Sequence, residues 1–115
     1  MRYSHEVIDD VLVLKFEGDL IGENHGSALV SLANEHISKE LKLCVIDLSG
    51  VRYINSSGIG VLITLLTKFR NKEGEVFLVQ PSNTVEKLLI ITKLNSIFQI
   101  AETVEEAISE LKKSA

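Results

Sequence analysis

The chain has 115 residues, 45% of them hydrophobic and 24% charged, a balance that excludes intrinsic disorder and leaves room for one domain. Twelve Lys and Arg stand against 16 Asp and Glu, a formal net charge of −4 with no dense basic cluster, so nucleic acid is not expected as a partner. A single cysteine, Cys44, rules out an internal disulfide framework and suits a reducing, cytoplasmic setting. No apolar run approaches the ~20 residues of a membrane span, and the opening MRYSHEVIDD lacks a leader-like apolar core.

Residues 3–8 are weakly strand-like and run into Asp9-Asp10, a turn. Val11-Leu12-Val13-Leu14-Lys15-Phe16-Glu17 follows as a strand closed by Gly18, so the pair predicts an N-terminal hairpin. Between Glu23 and Lys39, the residues Ala28, Leu29, Leu32, Ala33, His36 and Ile37 recur at helical spacing. Leu41 to Leu48 is nearly all apolar, as a strand buried on both faces requires. A strongly apolar helix is predicted from Ser57 to Lys72, with Ile59, Leu62, Ile63, Leu66 and Phe69 turned to the core. On that assignment Val61 and Leu65 lie off the core face, beside Thr64 and Lys68. They form either an exposed apolar stripe for a partner or a contact with a neighbouring helix.

Glu75 to Val79 is another buried strand, entered through Gly74 and closed by Pro81. A short helix with Val85, Leu88 and Leu89 on its apolar face begins at Ser82 or Asn83, and Asn83 and Glu86 are spaced like a capping box. Ile97 to Ile100 is a short strand. Thr103 and Glu106 make a second capping box ahead of a closing helix carrying Val104, Ala107, Ile108 and Leu111. The order β-β-α-β-α-β-α-β-α predicts an α/β fold: a mixed sheet, antiparallel in its first hairpin and parallel after it. There is no repeat, low-complexity segment or linker, so residues 1–115 are expected to form one domain.

Most of the chain is scaffold by this reading. The exception is the run Asp47-Leu48-Ser49-Gly50-Val51-Arg52-Tyr53-Ile54-Asn55-Ser56-Ser57-Gly58-Ile59-Gly60, which leads from a buried strand into a helix. Ligand sites of open parallel sheets form beyond the carboxyl ends of the strands, where this run lies. By spacing alone, Asn55, Ser56 and Ser57 are helix caps, and Gly58 and Gly60 allow close packing of helix on sheet. Enzymatic patterns fail on the same residues. A nucleophile elbow needs glycines where Asn55 and Ile59 stand, a P-loop needs a Gly-Lys that the chain lacks, and Ile63 occupies the third glycine of a dinucleotide fingerprint. His5, His25 and His36 are scattered, and Cys44 has no Cys or His at ligand spacing, so no catalytic base, metal or cofactor is expected.

The element order together with D-L-S-G-V-x-x-I-N-S-S-G-I-G-V-L resembles the STAS domain family over essentially the whole chain, and within it the bacterial anti-sigma factor antagonists. That resemblance implies a four-helix, single-sheet STAS-like fold and a non-enzymatic, partner-switching function. The unmodified antagonist binds an anti-sigma factor that is also a Ser/Thr kinase and so frees the sigma factor. Phosphorylation dissociates the pair, and a Ser/Thr phosphatase resets it. The acceptor in the family's D-S-S-G is the second serine, which falls on Ser57, with Ser56 as the alternative. Partner contacts are expected from Asp19, Asn55, Ser56, Ser57, Gly58, Val61, Thr64, Leu65 and Lys68, on a monomer or weak dimer away from membranes. Two positions depart from the family pattern: Asn55 replaces its usual acid, and Ile21 replaces the last carboxylate of Gly-Glu/Asp-Leu-Asp, present here as Gly18-Asp19-Leu20-Ile21. Those departures would suit an unphosphorylated STAS subunit of a signalling scaffold or of a lipid or anion transport complex. A nucleotide-binding or sensory role has less support, because no phosphate-cradling loop is present.

Overall fold

A computed structural model describes residues 2–20 and 26–114. The chain runs β1 (Arg2–Ile8), β2 (Val11–Leu20), α1 (Gly26–Ser38), β3 (Leu43–Ile54), α2 (Ser56–Arg70), β4 (Glu75–Val79) and α3 (Asn83–Ile91). A 3-10 turn (Leu94–Ser96), β5 (Gln99–Ala101) and α4 (Val104–Ser114) complete it. The five strands form one mixed sheet in the order β1-β2-β3-β4-β5, with β1 antiparallel to β2 and every later pairing parallel. Asp9 and Asp10 take φ of 50° and 64°, the left-handed pair that a two-residue hairpin turn demands.

The sheet advances one strand per crossover, always in the same direction. Right-handed crossovers then place α1, α2 and α3 on one face. The larger core lies there, with Leu12, Leu14, Phe16, Cys44, Ile46, Leu48, Val76 and Leu78 packed against Leu29, Ala33, Leu62, Leu66 and Phe69. α4 follows the last strand and covers the other face, seating Ala107, Ile108 and Leu111 on Val11, Val13, Val45, Val79 and Ala101. No helix among the described residues is long and apolar enough to cross a membrane.

The predicted elements are all present, but several bounds differ. β2 does not stop at Gly18; it passes through that residue at φ 90° and ends at Leu20. β3 does not stop at Leu48 but continues to Ile54, and β5 is Gln99–Ala101, not Ile97–Ile100. Ser82 caps α3 by accepting the Val85 N–H, so the Asn83–Glu86 capping box does not form. The Thr103 hydroxyl does accept the Glu106 N–H at 3.0 Å. The predicted first helix reaches back over residues 23–25, which lie outside the described residues, as do Ile21 and His25.

The apolar face of α2 needs the largest correction. Val61 is 9% exposed and Leu65 0%, whereas Ile63, placed in the core by periodicity, is 37% exposed. The buried row is Gly58, Val61, Leu62, Leu65, Leu66 and Phe69; it keeps Leu62, Leu66 and Phe69 of the predicted row but swings toward Val61 and Leu65, a turn of about 65° around the helix. α1 packs beside α2, so the stripe must cover both the sheet and a helix, and Val61 and Leu65 fill that corner with Leu29 and Ala33. They offer no surface to a partner.

Candidate functional site

The paired tips of β2 and β3 and the first turn of α2 bring the singled-out residues together. β3 carries two more residues than β2 over the paired length. Lys15 pairs with Asp47 but Glu17 with Gly50, and Gly18 pairs with Val51 but Asp19 with Tyr53. At the first irregularity the Asp47 carboxylate accepts the Ser49 N–H at 2.9 Å. At the second, Arg52 is the residue without a partner in the ladder, a β-bulge that turns its side chain along the strand tip. There it closes a two-bond fork on Asp19: Nε to Oδ1 at 3.2 Å and Nη2 to Oδ2 at 3.0 Å. The Arg52 hydrogen bond holds the Asp19 carboxyl below its ordinary range, and Asp19 in turn raises the guanidinium. A carboxyl shifted downward stays ionised as pH falls past its unfolded value, so the pair persists through neutral pH and is lost only as Asp19 itself protonates.

Asn55 joins the tip to α2. Its N–H donates to the Leu20 carbonyl at 3.3 Å, its carbonyl accepts the Ile59 N–H at 3.0 Å, and its Oδ1 accepts the Gly58 N–H at 2.9 Å. The cap is therefore Asn55 alone, and neither serine is needed for it. We expect Asn55→Ala to lower stability by about 1 kcal/mol, while Asn55→Asp keeps the acceptor and adds a charge favoured at the helix start. A shift of the urea midpoint without a change in slope is the check on this expectation.

Ser56 and Ser57 occupy the first two helical positions, and both are exposed. Among the described residues neither hydroxyl has a protein hydrogen-bond partner, so Ser57 is accessible but has no base of its own to activate it. Among the described residues the histidines offer none: His36 is buried and hydrogen-bonded to the Leu32 carbonyl, with His5 edge-on to it at 6.2 Å. Burial also raises the Cys44 thiol far above its ordinary value and keeps it unreactive. Gly58 is buried under the site, where an added Cβ would lie 2.1 Å from the Leu20 carbonyl oxygen. Gly60, two residues on, has nothing within 4 Å of such an atom, so close packing explains the first glycine and not the second. Thr64 is exposed and donates to the Gly60 carbonyl, and Lys68 is half-buried further along the helix.

Sequence reasoning brought Asp19, Asn55, Ser56, Ser57 and Gly58 to one place, and so does the structure. It missed Arg52 and Tyr53. Periodicity could not have found them, because a bulge breaks the alternation that would have assigned them to a strand face.

Three comparisons describe what this chain is similar to. The STAS domain family matches residues 2–107. A candidate anti-sigma factor antagonist of Thermotoga maritima is 29% identical over 96% of this chain and 98% of its own. The crystal structure of a candidate anti-sigma factor antagonist from Thermotoga maritima superposes with a TM-score of 0.84, at 25% identity over 96% of this chain and 94% of the other. The anti-sigma F factor antagonist of Paenibacillus polymyxa is 25% identical over 89% of this chain and 87% of its own. At 21% identity, unphosphorylated SpoIIAA shares the fold, with a TM-score of 0.82 over 97% of each chain.

Proposed function

Because this chain belongs to the STAS domain family, we propose that it is a non-enzymatic anti-sigma factor antagonist that switches partners through phosphorylation of Ser57. The observation that carries this reading is the exposed Ser57 hydroxyl, free of capping duty because Asn55 performs it, in the first turn of a helix. Relatives of similar length are named as anti-sigma factor antagonists, and SpoIIAA has been solved both without and with its phosphate.

The chemistry belongs to the partner. An anti-sigma factor kinase holds ATP, and Ser57 Oγ attacks the γ-phosphorus. The bond to the ADP oxygen breaks, and the hydroxyl proton passes to a base of the kinase. This chain contributes position and a tolerant setting. At the first turn of α2 the positive helix end favours the new charge of about −1.5 to −2, so the fold is expected to survive modification. The contact surface is not expected to tolerate it, because a dianion packed against a partner must be desolvated without compensation. A Ser/Thr phosphatase would restore the binding form.

Incubation with a purified anti-sigma factor kinase and Mg-ATP, followed by mass spectrometry of the peptides, tests the reading. One phosphate on the Ser57 peptide, absent from Ser57→Ala, is the expected result. A phosphate that persists in Ser57→Ala and vanishes in Ser56→Ala moves the acceptor to Ser56. A chain that binds the kinase and takes no phosphate favours the unphosphorylated-subunit alternative.

A further inference from the structure

We propose that Arg52 is a specificity residue of the same surface, presenting its free guanidinium edge to a carboxylate of the anti-sigma factor, with Asp19 as its positioning residue. This inference rests on the functional reading above and names the chemistry its partner must carry.

Arg52 is an exposed residue, its side chain 83% accessible, yet it is not loose. The bulge places it on the strand tip, and two parallel hydrogen bonds to Asp19 fix the plane of the guanidinium. A guanidinium has more donors than one carboxylate can engage; Asp19 takes Nε and Nη2, and among the described residues Nη1 meets no acceptor. Both Asp19 oxygens are occupied in the same fork. The tip therefore offers donors, and the complement it calls for is an acid.

Next to it Tyr53 leaves 45% of its surface exposed, the largest aromatic area open to solvent in this part of the chain. Arg and Tyr side by side, one of them held rigid, is the composition on which binding energy concentrates at interfaces. A long polyanion would fit poorly, because the nearby Glu17 and Asp19 and the net charge of −4 oppose it. A single protein carboxylate beside an apolar wall for Tyr53 fits well.

The placement also gives the switch its direction. Asp19 immediately precedes Leu20, whose carbonyl receives the Asn55 N–H and lies under Gly58, so the fork and the Ser56-Ser57 turn share one tip. A phosphate on Ser57 would repel a carboxylate drawn to that tip, a repulsion that salt screens beyond the Debye length of about 8–10 Å.

Calorimetric titration of the unmodified chain into the purified anti-sigma factor kinase, at about 50 and 300 mM NaCl, tests the proposal. Arg52→Gln is expected to weaken binding by about ten- to thirtyfold at low salt and to flatten the salt dependence; Arg52→Lys is expected to recover part of the affinity. Asp19→Asn, which removes the carboxylate that fixes Arg52 but leaves the guanidinium charged, is expected to cost about threefold. Arg52→Gln binding within twofold of the unaltered chain, with the same salt dependence, overturns the proposal and leaves the role of Ser57 standing. No binding by the unaltered chain overturns both.

Discussion

Ser57→Asp is expected to weaken binding to the anti-sigma factor kinase by two to four orders of magnitude, while Ser57→Ala stays within about tenfold of the unaltered chain. The first figure corresponds to roughly 3–5 kcal/mol, the scale of an uncompensated charge forced into a contact. An aspartate carries less charge than a phosphate and has a shorter reach, so it should fall toward the lower end of that range. Misfolding would produce the same loss of binding, and stability measurements separate the two causes. Position 57 lies in the first turn of α2, where a carboxylate gains roughly 0.3–1 kcal/mol from the helix end. Ser57→Asp should therefore melt no lower than the parent while failing to bind. Calorimetric titration with thermal unfolding of the same samples decides it. Full-strength binding by Ser57→Asp would remove Ser57 from the switch.

The proposed switch is legible in the sequence because it depends on local chemistry. Asn55-Ser56-Ser57-Gly58 at the start of a helix is a matter of residue types at fixed offsets, and such offsets survive folding unchanged. The hairpin, the strand-helix alternation and the α4 face followed from periodicity for the same reason. What stayed hidden depends on neighbours. β3 looked finished at Leu48 because Ser49-Gly50-Val51-Arg52-Tyr53-Ile54 does not alternate, and it does not alternate because two bulges are built into its pairing with β2. The face of α2 came out rotated because α1 lies beside it, and a helix in a corner buries a wider arc than one lying on a sheet alone. One clue was available in that case. Counting Gly58 as an interior position sets the row Gly58, Val61, Leu62, Leu65, Leu66 and Phe69 in perfect helical step, and a count of large apolar residues omits it. The proposed binding surface narrows accordingly: Val61 and Leu65 leave it, and the tip that carries Asp19, the two serines, Arg52 and Tyr53 becomes its centre.

Gly58 and Gly60 allow that rotation to be tested through two substitutions of identical chemistry and opposite sign. Both glycines lie in the first turns of α2, where alanine is intrinsically the better helix former by up to about 1 kcal/mol. At position 60 nothing opposes that preference, since an added Cβ meets no atom within 4 Å, and Gly60→Ala is expected to stabilise by about 0.5–1 kcal/mol. At position 58 the same methyl would lie 2.1 Å from the Leu20 carbonyl oxygen and 2.9 Å from its carbon. Those are backbone atoms of β2, tied to Asn55 by the 3.3 Å hydrogen bond, so no side chain can swing aside to relieve the contact. The start of α2 would have to lift off the sheet, opening the packing of Val61 and Leu62 and breaking the bond from Asn55. Overpacking of this kind costs about 1–3 kcal/mol and more when the backbone must move, so Gly58→Ala is expected to destabilise by about 3 kcal/mol net of the helix preference. Urea unfolding of the two variants beside the parent reads both signs at once. The loss at position 58 should extend to function, because lifting the helix also moves Ser57 away from the Asp19–Arg52 fork. Equal stability of the two variants would mean that α2 does not approach β2 at Gly58, and with that the shared tip on which the switch is built would be lost.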